Sequence, residues 1–368
     1  MRALRYHGPS DLRVDPDVPA PVCGPGQVKI KPAFVGICGS DLHEYSTPTF
    51  IPKPGEPHPL TKESWPVVVG HEFSGTVVEI GASTAQLPYA SGLKVGDAVA
   101  VQPTICCWDG CQPCREAHIN SCEHGGFVGL SGWGGGMSDE VCIDGRFVFK
   151  LPAGIGLEVG ALVEPLAVAW HAVDQFPFSR HRDGDDTIAA LVMGAGPIGL
   201  GVIQCLKARG VKTIIVVEVA KRRQDFALEF GATHLINPLE EDVVKRTRQI
   251  CHGNGADVAF DCAGVPASVK SAVLAVRHKG TVVNVAIWEK EVPINPNWLV
   301  FGEKVYKAVL SYLPQDFEGV IEALAEGRLK PAGMITSKIA VDRVVEDGFT
   351  PLINEKDKHV KILVDMSR

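Results

Sequence analysis

The segment LVMGAGPIGLG, residues 191–201, restricts the possible folds of this chain more than any other stretch. An apolar run, TIAALVM, ends at Gly194, and glycines recur at 196 and 199 just as a helix-like pattern, IGLGVIQCLKARG, begins. A strand that turns directly into a helix through Gly194, Gly196 and Gly199 leaves the first helical N–H groups without partners and lets a ligand approach the backbone. Pro197 and Ile198 occupy the same turn. Unpaired N–H groups at the positive end of a helix dipole favour a pyrophosphate. Downstream, TIIVVEV places Glu218 at the end of a second strand, where a carboxylate accepts the ribose hydroxyls of adenosine and repels a 2′-phosphate. The expected cofactor is NAD. Lys221, Arg222 and Arg223 keep NADP open, because an Arg such as Arg223 can pair with the extra phosphate.

Around this motif the chain has two rhythms. Residues 1–160 read as short β-type runs broken by turns, for example QVKIKPAFVGI, SGTVVEIG, GDAVAVQP and DEVCIDGRFVFKLP. Residues 161–312 alternate apolar strands (TIAALVMG, TIIVVEV, THLIN, ADVAFDCAG, GTVVNVAI) with helix-like segments (KRRQDFALEFG, PASVKSAVLAVRHKG). That alternation predicts a doubly wound parallel sheet. Residues 313–368 contain a helix-like FEGVIEALAEGRL and a β-like HVKILVDM, and are assigned back to the first domain. The Pro-rich stretch 46–66 reads as a surface loop. A chain of 368 residues is long enough for two such domains.

Charge narrows the partners. A net charge of −7 with no basic run argues against nucleic acid, which requires a concentrated Lys/Arg surface. The most apolar stretch, around residues 187–203, is short for a membrane span and interrupted by four glycines, so no membrane partner is expected. The start, MRALRYHGPSDLRV, lacks the apolar core of a secretory signal, so a cytoplasmic location is expected. There, disulfides are rare, which turns attention to metals for the five cysteines packed into residues 106–122.

Two further segments carry ligating side chains: GICGSDLHEY, with Cys38, Ser40, Asp41 and His43, and VVVGHEFSG, with His71 and Glu72. Thiolate, imidazole and carboxylate are the ordinary ligands of zinc, and a catalytic zinc keeps one position open. Taken together, GICGSDLH, GHEFSGTVVEIG, LKVGDAVAV, the cysteine cluster and GAGPIGL resemble the zinc-dependent medium-chain alcohol and polyol dehydrogenases, in order and spacing along essentially the whole chain. The resemblance implies an α/β architecture in which a GroES-like β-rich catalytic domain is interrupted by a Rossmann nucleotide domain. It also implies an NAD-dependent enzyme that moves hydride between a small-molecule alcohol and the nicotinamide, in a homodimer or homotetramer.

Carried over by position, the resemblance makes Cys38 and His71 ligands of a catalytic zinc. Glu164, in LVEPLAVAWHA, is the favoured third ligand, with Glu72 as an alternative or exchanging one. Asp41 orients the imidazole of His71, as ligating histidines require. Ser40 and His43 carry the alcohol's proton out of the closed site. A second, closed zinc site is implied for the cysteine cluster. Cys111, Cys114 and Cys122 match the family's spacing, whereas Trp108 stands where the first cysteine belongs. Cys107 is taken as the fourth thiolate, with Cys106 the alternative and Gly110 easing the extra residue. The insertion with PHPLTKESWP resembles the branch that acts on vicinal diols such as 2,3-butanediol, so secondary alcohols, diols and their ketones are the expected substrates. Sorbitol or threonine oxidation is the nearest alternative. A non-catalytic NAD-binding sensor would lack the ligands and relay found here, and a zinc-free quinone reductase would lack the ligands and the cysteine-rich lobe.

Overall fold

Val28, Ile30 and Pro32 are buried while Gln27, Lys29 and Lys31 are not, a period of two that makes Gln27–Gly36 a strand with one face on a core. It lies inside a sheet with the order Val148–Lys150, Ala98–Val101, Glu72–Ile80, Gln27–Gly36, Lys361–Asp365 and Ile335–Ala340, and Val141–Asp144 also pairs with it. A smaller sheet joins Asp11–Asp15, Ala3–Gly8 and Val67–Val68. The computed structural model describes residues 1–178, 188–288, 290–355 and 357–368. Thr187, first residue of the expected TIAALVMG strand, lies outside the described residues.

Two units divide the chain. One contains Met1–Glu164, Leu313–Ala325 and Pro331–Arg368, and the other Pro165–Tyr312 and Glu326–Lys330. The last of these segments departs from the assignment of all of 313–368 to the first domain. The backbone N–H of Lys330 donates to Gln204 Oε1 at 3.3 Å, which ties that turn to the second unit. Val28, Ile30, Val77, Val99, Val101, Ile362 and Val364 form the centre of the first unit's core.

Three strands of the first unit converge at one end. Gly36 lies opposite both Glu72 and Leu363, on either side of it, and the N–H of Ile37 donates to the carbonyl of Ile362. Both pairings are antiparallel, so Cys38, His71 and Lys361 are carried to the same edge of the ladder.

The second unit is a parallel sheet of six strands in the order His234–Ile236, Thr213–Val217, Ala189–Met193, Ala256–Asp261, Val276–Asn284 and Val305–Ala308. After Ala189–Met193 the chain builds outward to His234–Ile236 and then returns to the other side. The turns after Met193 and Asp261 therefore flank the switch point of the sheet, where such sheets bind ligands. Within the segment read as the helix PASVKSAVLAVRHKG, the helix Pro266–Ala275 stops early. Val276 is 2% exposed and pairs with Ala256, so tertiary pairing overrides the helical pattern from there on. The edge strand Val305–Ala308 and the helix Val243–Ile250, capped by Asp242, add to the elements read from sequence. Among the described residues no helix is long and apolar enough to cross a membrane.

Candidate active site and metal centres

A short helix, Gly39–Ser46, starts where the strand ending at Gly36 leaves the sheet, with Cys38 at its cap. Asp41 Oδ2 accepts the Cys38 N–H at 2.8 Å, which fixes the turn and buries the Asp41 carboxylate next to His71. Ligand atoms of Cys38, His71 and Glu72 all lie within 4.8 Å of one another. Asp41 Oδ1 faces His71 Nδ1 at 3.3 Å, close enough for strong attraction but misaligned for a hydrogen bond. Burial pushes the His71 imidazole down, and the Asp41 charge more than reverses that, raising it well above its ordinary range. With the Asp41 carboxylate on the Nδ1 side, Nε2 is the ring nitrogen that faces away from it. Ser40 Oγ is 3.2 Å from Nε2. The His43 side chain is 35% exposed, with Nδ1 3.7 Å from the Glu44 carboxylate.

Glu72 is fully buried, and Lys361 Nζ holds both of its oxygens, at 2.8 and 2.7 Å, while also donating to the carbonyl of Ile37. Burial alone would lower the Lys361 ammonium. The charges of Glu72, Cys38 and Glu164 raise it instead. Lys361 was not legible in HVKILVDM, where it reads as one polar position of a strand. Glu164 is 6% exposed and close enough to act on Lys361, but it is not one of the three residues whose ligand atoms converge.

Sulfur, imidazole nitrogen and carboxylate oxygen meeting in a buried place, with one ammonium to offset several anionic groups, suit zinc. The donor types are zinc's own, and their ligand atoms already lie within 4.8 Å of one another. Three donors leave a position free.

The cysteine cluster is tighter. Ligand atoms of Cys107, Cys111, Cys114 and Cys122 lie within 4.8 Å of one another, with Sγ separations of 3.4 Å for Cys107–Cys111 and 3.5 Å for Cys107–Cys122. Cys106 is outside this group, and burial pushes its thiol up to about 11. The extra residue is accommodated differently from the expectation that Gly110 eases the bend. Trp108 takes the left-handed conformation, with φ of 61°. Its ring stacks on Phe147 at 5.3 Å, and the Arg146 guanidinium sits 3.4 Å from its centroid. Gly110 supplies space instead: a Cβ there would lie 3.1 Å from the Cys107 sulfur. Burial pushes Cys111 up, yet N–H groups of Cys114 and Glu123 and neighbouring thiols bring it down to about 6. Four thiols so close together could fill a tetrahedral shell around zinc.

In the second unit, Gly194 has φ of 88° and opens the turn after Met193. Gly196 caps the helix Pro197–Ala208, and a Cβ on it would meet nothing within 4 Å, so the space above the helix start is open. A Cβ on Gly199 would collide with the carbonyl of Gly194. Ile198 lies in the first turn of that helix. Glu218 turns toward this loop. Its Oε2 accepts the Ala195 N–H at 2.8 Å and its Oε1 accepts those of Val219 and Ala220. The adjoining turn is held by Asp261, which accepts N–H groups from Ala263 and Gly264 and the Ser268 hydroxyl. Asp261 was missed because DCAG gives no sign that its carboxylate folds back on the turn. Lys221 pairs with Asp225, and the Arg222 guanidinium lies 5.8 Å from the Phe226 ring centroid. Arg223 is half-buried on the same helix. An open cradle at a helix N-terminus, beside a carboxylate at the end of the second strand, fits a dinucleotide.

Such a pairing of folds and sites defines a class. Residues 24–153 match the alcohol dehydrogenase GroES-like domain and residues 197–326 the zinc-binding dehydrogenase model. The chain belongs to the zinc-binding dehydrogenases. It is 42% identical over 365 residues to the (R,R)-butanediol dehydrogenase of Bacillus subtilis strain 168, with 99% of each chain covered. It is 37% identical to the (R,R)-butanediol dehydrogenase of Neisseria gonorrhoeae strain ATCC 700825 / FA 1090, again with 99% of each covered. The crystal structure of 2R,3R-butanediol dehydrogenase from Bacillus subtilis superposes with a TM-score of 0.86, at 41% identity and 99% coverage of both chains.

Proposed function

We propose that this protein is an NAD-dependent zinc enzyme that oxidises secondary alcohols and vicinal diols of the 2,3-butanediol type and reduces the corresponding hydroxyketones. The observation that carries this reading is the convergence of Cys38, His71 and Glu72, with a free position, in a chain matched along its whole length by butanediol dehydrogenases. Cys38 and His71 hold the metal, and a carboxylate from Glu72 or Glu164 completes the set. When bound, zinc supplies a Lewis acid that brings the pKa of an alcohol toward neutrality. Asp41 keeps His71 Nε2 aimed at the metal position. Ser40, beside that atom, receives the alcohol's proton, and the partly exposed His43 passes it to water.

Gly194, Gly196, Pro197, Ile198 and Gly199 cradle the pyrophosphate, and Glu218 sets the preference for NAD. That preference is supported by Lys221 pairing with Asp225 and Arg222 lying against Phe226 along their own helix. Cys107, Cys111, Cys114 and Cys122 hold a second zinc that stabilises their loop. The strand Val305–Ala308 is a sheet edge, with Val300, Phe301 and Val305 exposed beside it, and a second copy pairing there would make a homodimer or part of a homotetramer. Eleven free thiols suit the cytoplasm.

The test combines metal analysis with NADH formation on butanediol stereoisomers, sorbitol and threonine. Close to two zincs per chain and highest kcat/KM on a butanediol are expected. Preference for sorbitol or threonine reassigns the substrate, and absence of zinc removes the mechanism.

A further inference from the structure

The insertion at 46–66, read from its composition as a surface loop, lies largely at the surface but is anchored at three buried points. Ile51, His58 and Thr61 are buried. His58 Nδ1 accepts N–H groups from Leu60 and Thr61, both at 3.3 Å, which fixes this nitrogen as the unprotonated one. The proton is then on Nε2, which donates to the carbonyl of Gly125 at 3.2 Å. Thr61 Oγ1 donates to the carbonyl of Ser131 at 2.8 Å, and Ser131 Oγ returns a hydrogen bond to the carbonyl of Phe50 at 3.1 Å while accepting the Phe127 N–H. These bonds stitch the insertion to residues 125–131. Between the two segments, Phe50 and Phe127 meet edge to face with centroids 5.7 Å apart, and the Phe127 ring is 6.4 Å from that of His71.

We propose that His58 is a positioning residue: by clamping residues 46–66 onto residues 125–131, it holds Phe50 against Phe127, whose ring lies beside His71, and so sets how tightly the alcohol binds. The inference rests on the alcohol-oxidising reading of the Cys38–His71–Glu72 site. His58 takes no part in the oxidation itself. Protonating Nδ1 would turn an acceptor of two N–H groups into a donor facing them, so the clamp requires the neutral ring. Burial holds His58 below its ordinary value, opposed by the Gly125 carbonyl and Glu63 and assisted by His124 and Lys62. The clamp is thus fully present above a pH of about 6.5 and is lost as pH falls through the depressed value.

The test uses the full zinc-loaded protein with wild type, His58→Ala, His58→Asn and Gly126→Ala. A Cβ on Gly126 would come 2.7 Å from His58 Nε2 and equally close to Ser131 Cβ and Oγ, so the last variant displaces the clamp at both of its anchoring residues without removing a polar group. Hydrogen exchange of residues 46–66 is measured with KM and kcat for the best alcohol between pH 5.5 and 8. Expected for His58→Ala and Gly126→Ala are exchange and KM raised about tenfold, kcat within about twofold, and unchanged zinc content. His58→Asn, whose Oδ1 still accepts N–H groups, falls between these and wild type. In wild type KM rises below a pH of about 6.5, whereas in His58→Ala it is flat there. Faster exchange with unchanged KM overturns the positioning role, and unchanged exchange overturns the clamp. A wild type that oxidises no alcohol sinks the functional reading instead, and exchange then decides the clamp alone.

Discussion

The first unit contains two groups of side chains arranged so that they could hold a metal, built on opposite plans. Cys107, Cys111, Cys114 and Cys122 come from one loop and bring four like donors within 4.8 Å of one another. Cys38, His71 and Glu72 come from two strand ends that the register of a sheet places side by side, and their charge is balanced by Lys361 from a third. A local loop can close a shell completely because nothing else has to enter it. A site assembled from distant strands can stay one donor short, and the difference in donor count is the difference between holding a fold and handling a substrate.

Exchanging the damage between the two groups tests this division most severely. Cys38→Ser should reduce kcat/KM by about 10³-fold or more and leave Tm within about 3 °C. Cys114→Ala should do the reverse, lowering Tm by about 10 °C while turnover per folded, zinc-loaded site stays within about threefold. Slow turnover in folded Cys114→Ala would put the cysteine loop in the chemistry. Next in size is Lys361→Met. Removing the ammonium leaves Glu72 as an uncompensated buried charge, which should cost about 3–5 kcal/mol in denaturant unfolding of the metal-free protein. The loss should shrink when zinc is present, because the cation then faces the same carboxylate. Equal losses with and without zinc would separate Glu72 from the metal position. The smallest effect belongs to Arg146→Ala, which uncovers the Trp108 ring. A loss of about 1 kcal/mol and earlier zinc release from the cysteine loop are expected, with KM and kcat unchanged. A change in KM would connect that loop to substrate binding.

Much of this was legible in the chain because the signals are local. GAGPIGLG follows an apolar run, and four cysteines lie within residues 107–122, so neighbours in sequence remain neighbours in space. Asp41 and His71 were readable by resemblance as a pair. The missed residues share another property. Lys361, Asp261 and His58 acquire their roles only from partners in other segments, or from how a turn folds back, and each looks ordinary in its own stretch. The choice between Glu72 and Glu164 was open for the same reason. The helix read through Val276–Lys279 failed because a pairing with Ala256 outweighed a local pattern.

From its residues alone the chain determined an alternating domain with a phosphate-binding turn, a β-rich partner and a thiol cluster, since backbone geometry, side-chain period and loop length act over a few residues. Only the tertiary structure places the Glu72 carboxylate beside Cys38 and His71 with the Lys361 ammonium on it, and bonds the 46–66 insertion to residues 125–131 through His58. Those outcomes depend on strand register and burial, which set distances and dielectric between groups hundreds of residues apart and leave no imprint on the local order of residues.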